Sequence, residues 1–166
     1  MSILPGLFKN AVRSAIHLET RDSYQPDDPD WLDWRDGHHF DPAERWNEWF
    51  TMMSETTVRG VEVRRARLVS EPVTDYIRYE YDVTEPFNIA SGEQIRWLPR
   101  RNAVGMMVPA VDFWIFDRTV VVINHFDGCG GNLVHEQLDD EALAARYSLA
   151  FEEIWDRATP HAEYVI

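Results

Sequence analysis

One lysine and one cysteine stand in 166 residues. The single cysteine, Cys129, cannot close a disulfide within the chain, so the fold rests on packing alone and the expected compartment is the reducing cytoplasm. Long apolar runs are missing too, and none approaches the roughly 20 residues of a membrane-spanning helix. The opening "MSILPGLFKNAVRSAIHLE" lacks a signal-peptide layout, because Lys9 and Arg13 interrupt it before an apolar core can form. Positive charge is scarce: 16 basic residues face 29 acidic ones, for a net charge of −13. Such a field repels phosphate, which argues against direct nucleic-acid binding and against docking on an anionic membrane. Internal repeats and low-complexity tracts are also lacking.

Hydrophobic residues make up 45% of the chain, enough for one well-buried globular domain over residues 1–166. The basic residues are nearly all arginine, and they concentrate between Arg59 and Arg101, where eight of them meet seven acidic residues. The acidity therefore lies on either side of a near-neutral middle. Arginine offers a planar fork suited to carboxylate and phosphate, although a coding bias toward arginine would give the same composition.

Leu7, Phe8, Val12, Ala15 and Ile16 recur at helical spacing and predict a helix over 5–20. Residues 21–40, rich in Pro and Asp, read as an acidic loop with at most a short turn at Trp31–Trp34, and this loop could fold over a cleft as a lid. "DPAE" at 41–44 is a helix start, with Asp41 as cap, Pro42 at the first position and Glu44 closing a capping box; Gly60 is the stop. After Gly60 the period falls to two. Strands are expected at 61–69 and 75–83, a short one from Glu93, and three more at 112–116, 119–126 and 132–138. Residues 139–159 read as a long helix, with Asp139, Asp140 and Glu141 at its positive end. The resulting expectation is an α+β domain: a mostly antiparallel sheet of five or six strands, with N-terminal helices and a long C-terminal helix packed on it.

The chemistry-bearing stretch is "DFWIFDRTVVVINHFDGCGGN", from Asp112 to Asn132. Folding it as a hairpin with its turn at Asp117-Arg118 puts Asp117 about 15 Å from Asp112 by strand rise, so the aspartates cannot share one site. Asp112 with His125 remains as a possible acid–base pair, against a plainer reading of Asp117 and Asp127 as turn formers and His125 as an edge residue. Cys129 lies between glycines that suit a tight turn, "GCGG" lacks a phosphate-loop pattern, and His38-His39 lacks ligand spacing, so no metal or cofactor is expected. Trp46 and Trp49 read as core. Arg65, Arg67 and Arg78 could present guanidinium groups on a sheet face beside Tyr76, Trp97 and Trp114, or be consumed in cross-strand salt bridges with Asp75 or Glu80.

The blocks "SAIHLETRDSY", "RGVEVRRARLVSEPVTDYIRYEY", "SGEQIRWL" and "DFWIFD", in this order and spacing, resemble an uncharacterised actinobacterial family, a domain of unknown function. The resemblance implies a single cytoplasmic domain whose gene often lies beside an Xre-type helix-turn-helix regulator, and it implies no activity. "DFWIFDRTVVVIN" with "DEALAARYSLAFEEIWDRATP" is similar to the phospholipase-D-like domains of some bacterial regulators. That chemistry requires a His-x-Lys motif, and the only lysine, Lys9, has Leu7 two places before it, so the similarity implies a non-catalytic version. The expected function is a non-enzymatic regulatory or interaction domain, binding a partner regulator or a small anionic ligand through Arg65, Arg67, Tyr76, Arg78, Trp97, Asp112, Trp114 and His125. The alternative is a hydrolase or nuclease-like toxin using Asp112 and His125 with the sheet arginines.

Overall fold

A computed structural model of the chain describes residues 2–166. Seven strands form one mixed sheet in the order β6-β5-β4-β1-β2-β3-β7. The strands are β1 (Ser14–Glu19), β2 (Glu62–Val69), β3 (Gln94–Pro99), β4 (Asp112–Phe116), β5 (Val120–Phe126), β6 (Asn132–Leu138) and the short β7 (Thr159–Pro160). β1, β2 and β3 run parallel to one another, and all other neighbours pair antiparallel. The domain is α+β as expected, but the sheet has seven strands and a parallel centre.

Several local expectations fail, and the two largest have a clear physical reason. Residues 5–20 are not one helix: α1 (Leu4–Asn10) stops and β1 begins at Ser14. The backbone N–H groups of Val12, Arg13 and Ser14 all donate to the Asp117 carboxylate, at 2.7–3.3 Å, which draws the chain out of the helix and into the sheet. Val12, counted in the apolar stripe, is 72% exposed. Residues 75–83 are a helix, α5 (Asp75–Val83), which widens into a π-helical segment at Thr84–Ile89. Thr74 caps it by accepting from Ile77 N. The two parallel pairings require long crossovers, and α5 lies in the one from β2 to β3.

The acidic 21–40 stretch carries a helix, α2 (Pro29–Arg35), capped by Asp28. The helix expected from 41 breaks at Trp46 into α3 (Pro42–Arg45) and α4 (Asn47–Val58). At the break the Trp46 indole N–H donates to Asp30 at 2.6 Å, tying α2 down. The last helix, α6 (Glu141–Arg157), covers one face of the sheet, packing Ala144, Phe151 and Ile154 on Leu18, Ala66, Leu98 and Phe113. The opposite face is covered by α1 and α4 over β4 and β5, with Phe8 and Met53 against Trp114 and Val122. No described helix is long and apolar enough to cross a membrane.

Candidate functional site

Along β1, Ala15, His17 and Glu19 point to the face away from α6, while Ile16 and Leu18 point into the α6 core. On β2 the same alternation turns Arg65 and Arg67 to His17's side. The register sets His17 opposite Arg65 and Glu19 opposite Arg67. Helix α5 lies over this face and lowers Tyr76, Tyr79 and Glu80 toward it, because residues three and four apart share one side of a helix.

The result is a buried ion network. Arg65 donates from Nε to Glu93 at 2.8 Å and from Nη1 to Glu19 at 2.7 Å. Arg67 donates from Nε to Glu19 at 2.7 Å and from Nη1 to Thr84 Oγ1 at 2.6 Å. Glu93 takes a further 2.7 Å bond from Asn88 Nδ2. Glu80 is held more loosely, with Oε2 3.7 Å from Arg67 Nε. All five charged residues are buried. Arg65 lies over the Trp114 ring and Arg67 over Trp97, at 5.4 and 4.9 Å from the ring centroids.

The two carboxylates that meet Arg67 titrate in opposite directions. Burial disfavours the Glu19 anion, but two guanidinium groups in direct contact outweigh it and hold the carboxyl far below the usual range. Burial also disfavours the Glu80 anion, Arg67 offsets it only in part, and the neighbouring Glu19 charge adds to it, so its pKa is pushed up to about 7. Burial pushes His17 well below its ordinary value despite Glu19 nearby, so the imidazole is neutral at pH 7. His17 stacks on Trp114 at 4.0 Å and its Nε2 lies 3.4 Å from Asn124 Nδ2.

A cavity of about 460 Å³ opens above this network, in the size range of small-molecule sites. His17, Arg65, Arg67 and Asn124 contribute to its floor, and Trp46, Trp49, Tyr76 and Phe87 to its walls. Several polar atoms here are unspent. His17 Nδ1 and Asn124 Oδ1 have no hydrogen-bond partner. Among the described residues, neither Arg65 nor Arg67 uses its Nη2 as a hydrogen-bond donor. Unpaired polar atoms at this depth are uncommon in a finished fold.

Of the residues expected to form a site, Arg65, Arg67, Tyr76 and Trp114 meet at this cavity. Trp97 lies beneath Arg67, fully buried, with its indole N–H on His161 Nδ1 at 3.0 Å. Arg78 points away: once 75–83 is a helix, Arg78 leaves the Tyr76–Glu80 side and reaches only Asp75, at 4.0 Å. Asp112 and His125 border one shallow hollow of about 170 Å³, yet they do not form the expected pair. Asp112 faces Asn124 across the ladder, so the next residue, His125, projects from the other side of β5. The Asp112 carboxylate is occupied by the Thr20 N–H and hydroxyl and by the Tyr24 hydroxyl. His125 Nε2 lies 2.8 Å from Glu136 on exposed β6. Asp127 accepts from Cys129 N and Gly131 N, as a turn former does. His17, Glu19, Glu80, Glu93, Asn88 and Asn124 were not legible as site residues.

The fold has low-identity counterparts among solved structures. Nuc from Salmonella typhimurium, a phospholipase D family member, superposes with a TM-score of 0.53 at 12% identity, over 95% of this chain and 88% of that one. TrmBL2, an archaeal chromatin protein with a novel mode of DNA binding, gives a TM-score of 0.50 at 11% identity, over 94% of this chain and 49% of that one. The chain thus spans about half the length of TrmBL2, and identities this low establish a shared fold alone. No curated protein matches the sequence. The model of a family described as a domain of unknown function, DUF6879, matches residues 4–166, and the chain belongs to that family.

Proposed function

We propose that the domain is a non-enzymatic ligand-binding module that works as the sensory or interaction half of a regulator. The carrying observation is the cavity over β1 and β2, with unspent donors on Arg65 and Arg67 in its floor and aromatic side chains in its walls. Aromatic walls over a small number of placed polar groups are the usual composition of a small-molecule site. The partner proposed is a helix-turn-helix regulator, in line with the gene neighbourhood that the family resemblance implies. A net charge of −13 suits contact with a basic DNA-binding protein and disfavours contact with DNA itself.

Thermal-shift measurements against a panel of small organic molecules test the reading. A ligand at ten times its Kd stabilises the folded state by about 1.4 kcal/mol. For a domain of this size that is a rise of roughly 3–6 °C in Tm. The variant Val83→Phe, which places bulk at a residue lining the cavity, should lose the rise. A panel that leaves Tm unchanged at millimolar concentration would overturn the proposal.

A further inference from the structure

We propose that the cavity takes an organic monoanion with an apolar body, its carboxylate set against the free Nη2 groups of Arg65 and Arg67, and that one proton is taken up with it. This inference rests on the ligand-binding reading and specifies the chemistry of the same site.

The position of the head group follows from the two guanidinium groups. Each spends Nε and Nη1 on protein partners, Nη2 makes no hydrogen bond among the described residues, and both residues line the cavity. The single charge follows from the count of ions: Glu19, Glu80 and Glu93 already stand against Arg65 and Arg67, and His17 is neutral. A bare anion would add a second uncompensated negative charge in a buried site, which is costly. If Glu80 takes a proton as the carboxylate arrives, the ligand's charge replaces that of Glu80 beside Arg67 and the net charge of the site is unchanged. A dianion such as a phosphate monoester would add one further uncompensated negative charge even with Glu80 protonated.

Glu80 is the group placed to accept this proton. The titratable and charged groups within its electrostatic reach are Arg65 and Arg67 on β2, Glu19 on β1, Asp112 on β4, Tyr24 in the loop after β1, and Tyr76 and Tyr79 on its own helix. Glu19 is clamped by two guanidinium groups at 2.7 Å, whereas Glu80 has one at 3.7 Å, so the proton goes to Glu80. Glu93 is held at 2.8 Å by Arg65 and by Asn88. The apolar body has a place as well. Trp46 and Trp49 line both this cavity and a larger open groove of about 1050 Å³ between α1 and α4, bordered by Met52.

The test uses 3-phenylpropionate, its neutral amide and phenyl phosphate as probes in calorimetric titrations of the whole chain. The carboxylate should bind at least tenfold more tightly than the amide or the phosphate. From pH 7.5 to 8.5 its Kd should rise by close to tenfold, as coupling to one proton requires. At pH 8 the apparent binding enthalpy should differ between phosphate and Tris buffers by the amount that one proton carries. Glu80→Gln, which imitates the protonated acid, should bind the carboxylate with a Kd independent of pH over this range. Equal binding of amide and carboxylate, or a wild-type Kd that does not move with pH, would overturn the inference. So would a pH dependence that persists in Glu80→Gln. Should none of the three probes bind while other molecules raise Tm, the inference falls and the ligand-binding reading stands; should nothing raise Tm, both fall.

Discussion

Glu80 offers the sharpest test of the buried network, because its charge works against the fold near neutral pH. Its folded pKa is raised from 4.5 to about 7, chiefly by burial. The unfolded chain releases this proton near 4.5, while the folded chain keeps it until about 7. Between those values the folded state binds more protons, so stability falls as pH rises, and above 7 the loss is complete. The gap of about 2.5 units corresponds to about 3 kcal/mol. Glu80→Gln removes the ionisation and keeps the shape. The stability difference between variant and wild type should therefore be small below pH 4.5 and grow to about 3 kcal/mol in the variant's favour at pH 8. Urea unfolding followed by circular dichroism at half-unit steps from pH 4 to 8.5 measures it, and taking the difference cancels every group the two proteins share. A Glu80→Gln protein less stable than wild type at pH 8, or a difference that does not vary with pH, would refute the reasoning.

The other expectations concern single groups. Glu19→Gln should act oppositely to Glu80→Gln: it strips the 2.7 Å partner from both buried guanidinium groups and should cost about 3–5 kcal/mol at pH 7, read by the same unfolding assay. The Glu19 contribution is lost as pH falls below the ordinary carboxylate range, because its folded pKa is depressed. Asp117→Ala should cost about 2–3 kcal/mol, since it frees three backbone N–H groups at the start of β1 and puts alanine at a φ of +50°; hydrogen exchange should rise first at Val12–Ser14. Gly92→Ala should cost about 2–4 kcal/mol, because its Cβ would lie 2.5 Å from Thr57 Oγ1 at a φ of +91°. A Tm unchanged within 2 °C would count against that account.

The strands of 112–138 were legible because Asp117-Arg118 and the "DGCGG" turn mark their ends, and the structure keeps those limits within a residue. The C-terminal helix was legible from its acidic start and apolar stripe. β1 was not, for a reason tied to the site. A central strand buried on both faces has no polar side to alternate with, and here two of its buried residues, His17 and Glu19, are themselves polar. The misreading of α5 has a related cause. "DYIRYEYDV" alternates aromatics with charges at period two, but it also sets Tyr76, Tyr79, Glu80 and Val83 at helical spacing, and Thr74 is its cap. The choice between the two periods was decided by packing against Arg67, a contact across thirteen residues that no local window contains. Reading 75–83 as a strand then put Arg78 in the site and left Glu80 as a mere salt-bridge partner.

The buried network is hard to explain as a device of stability. Three carboxylates and two guanidinium groups in one sheet face each carry a desolvation cost, and apolar residues of similar volume commonly do as well or better. On the α6 face, the same sheet shows that this chain can build such a core, with Leu18, Ala66, Leu98 and Phe113 under Phe151. Arg64, one residue from Arg65 but on the α6 side, closes both Nη atoms on the single carboxylate of Glu152, at 2.9 and 2.7 Å, and leaves its buried Nε without a hydrogen-bond partner. Arg65 and Arg67 line the cavity with one Nη each outside any hydrogen bond among the described residues, beside His17 Nδ1 and Asn124 Oδ1, which also lack partners. The two arginine environments on one strand differ in what they border: Arg64 closes its fork on one carboxylate at the α6 face, whereas Arg65 and Arg67 line the cavity, and that is the reason for placing ligand recognition at Arg65 and Arg67.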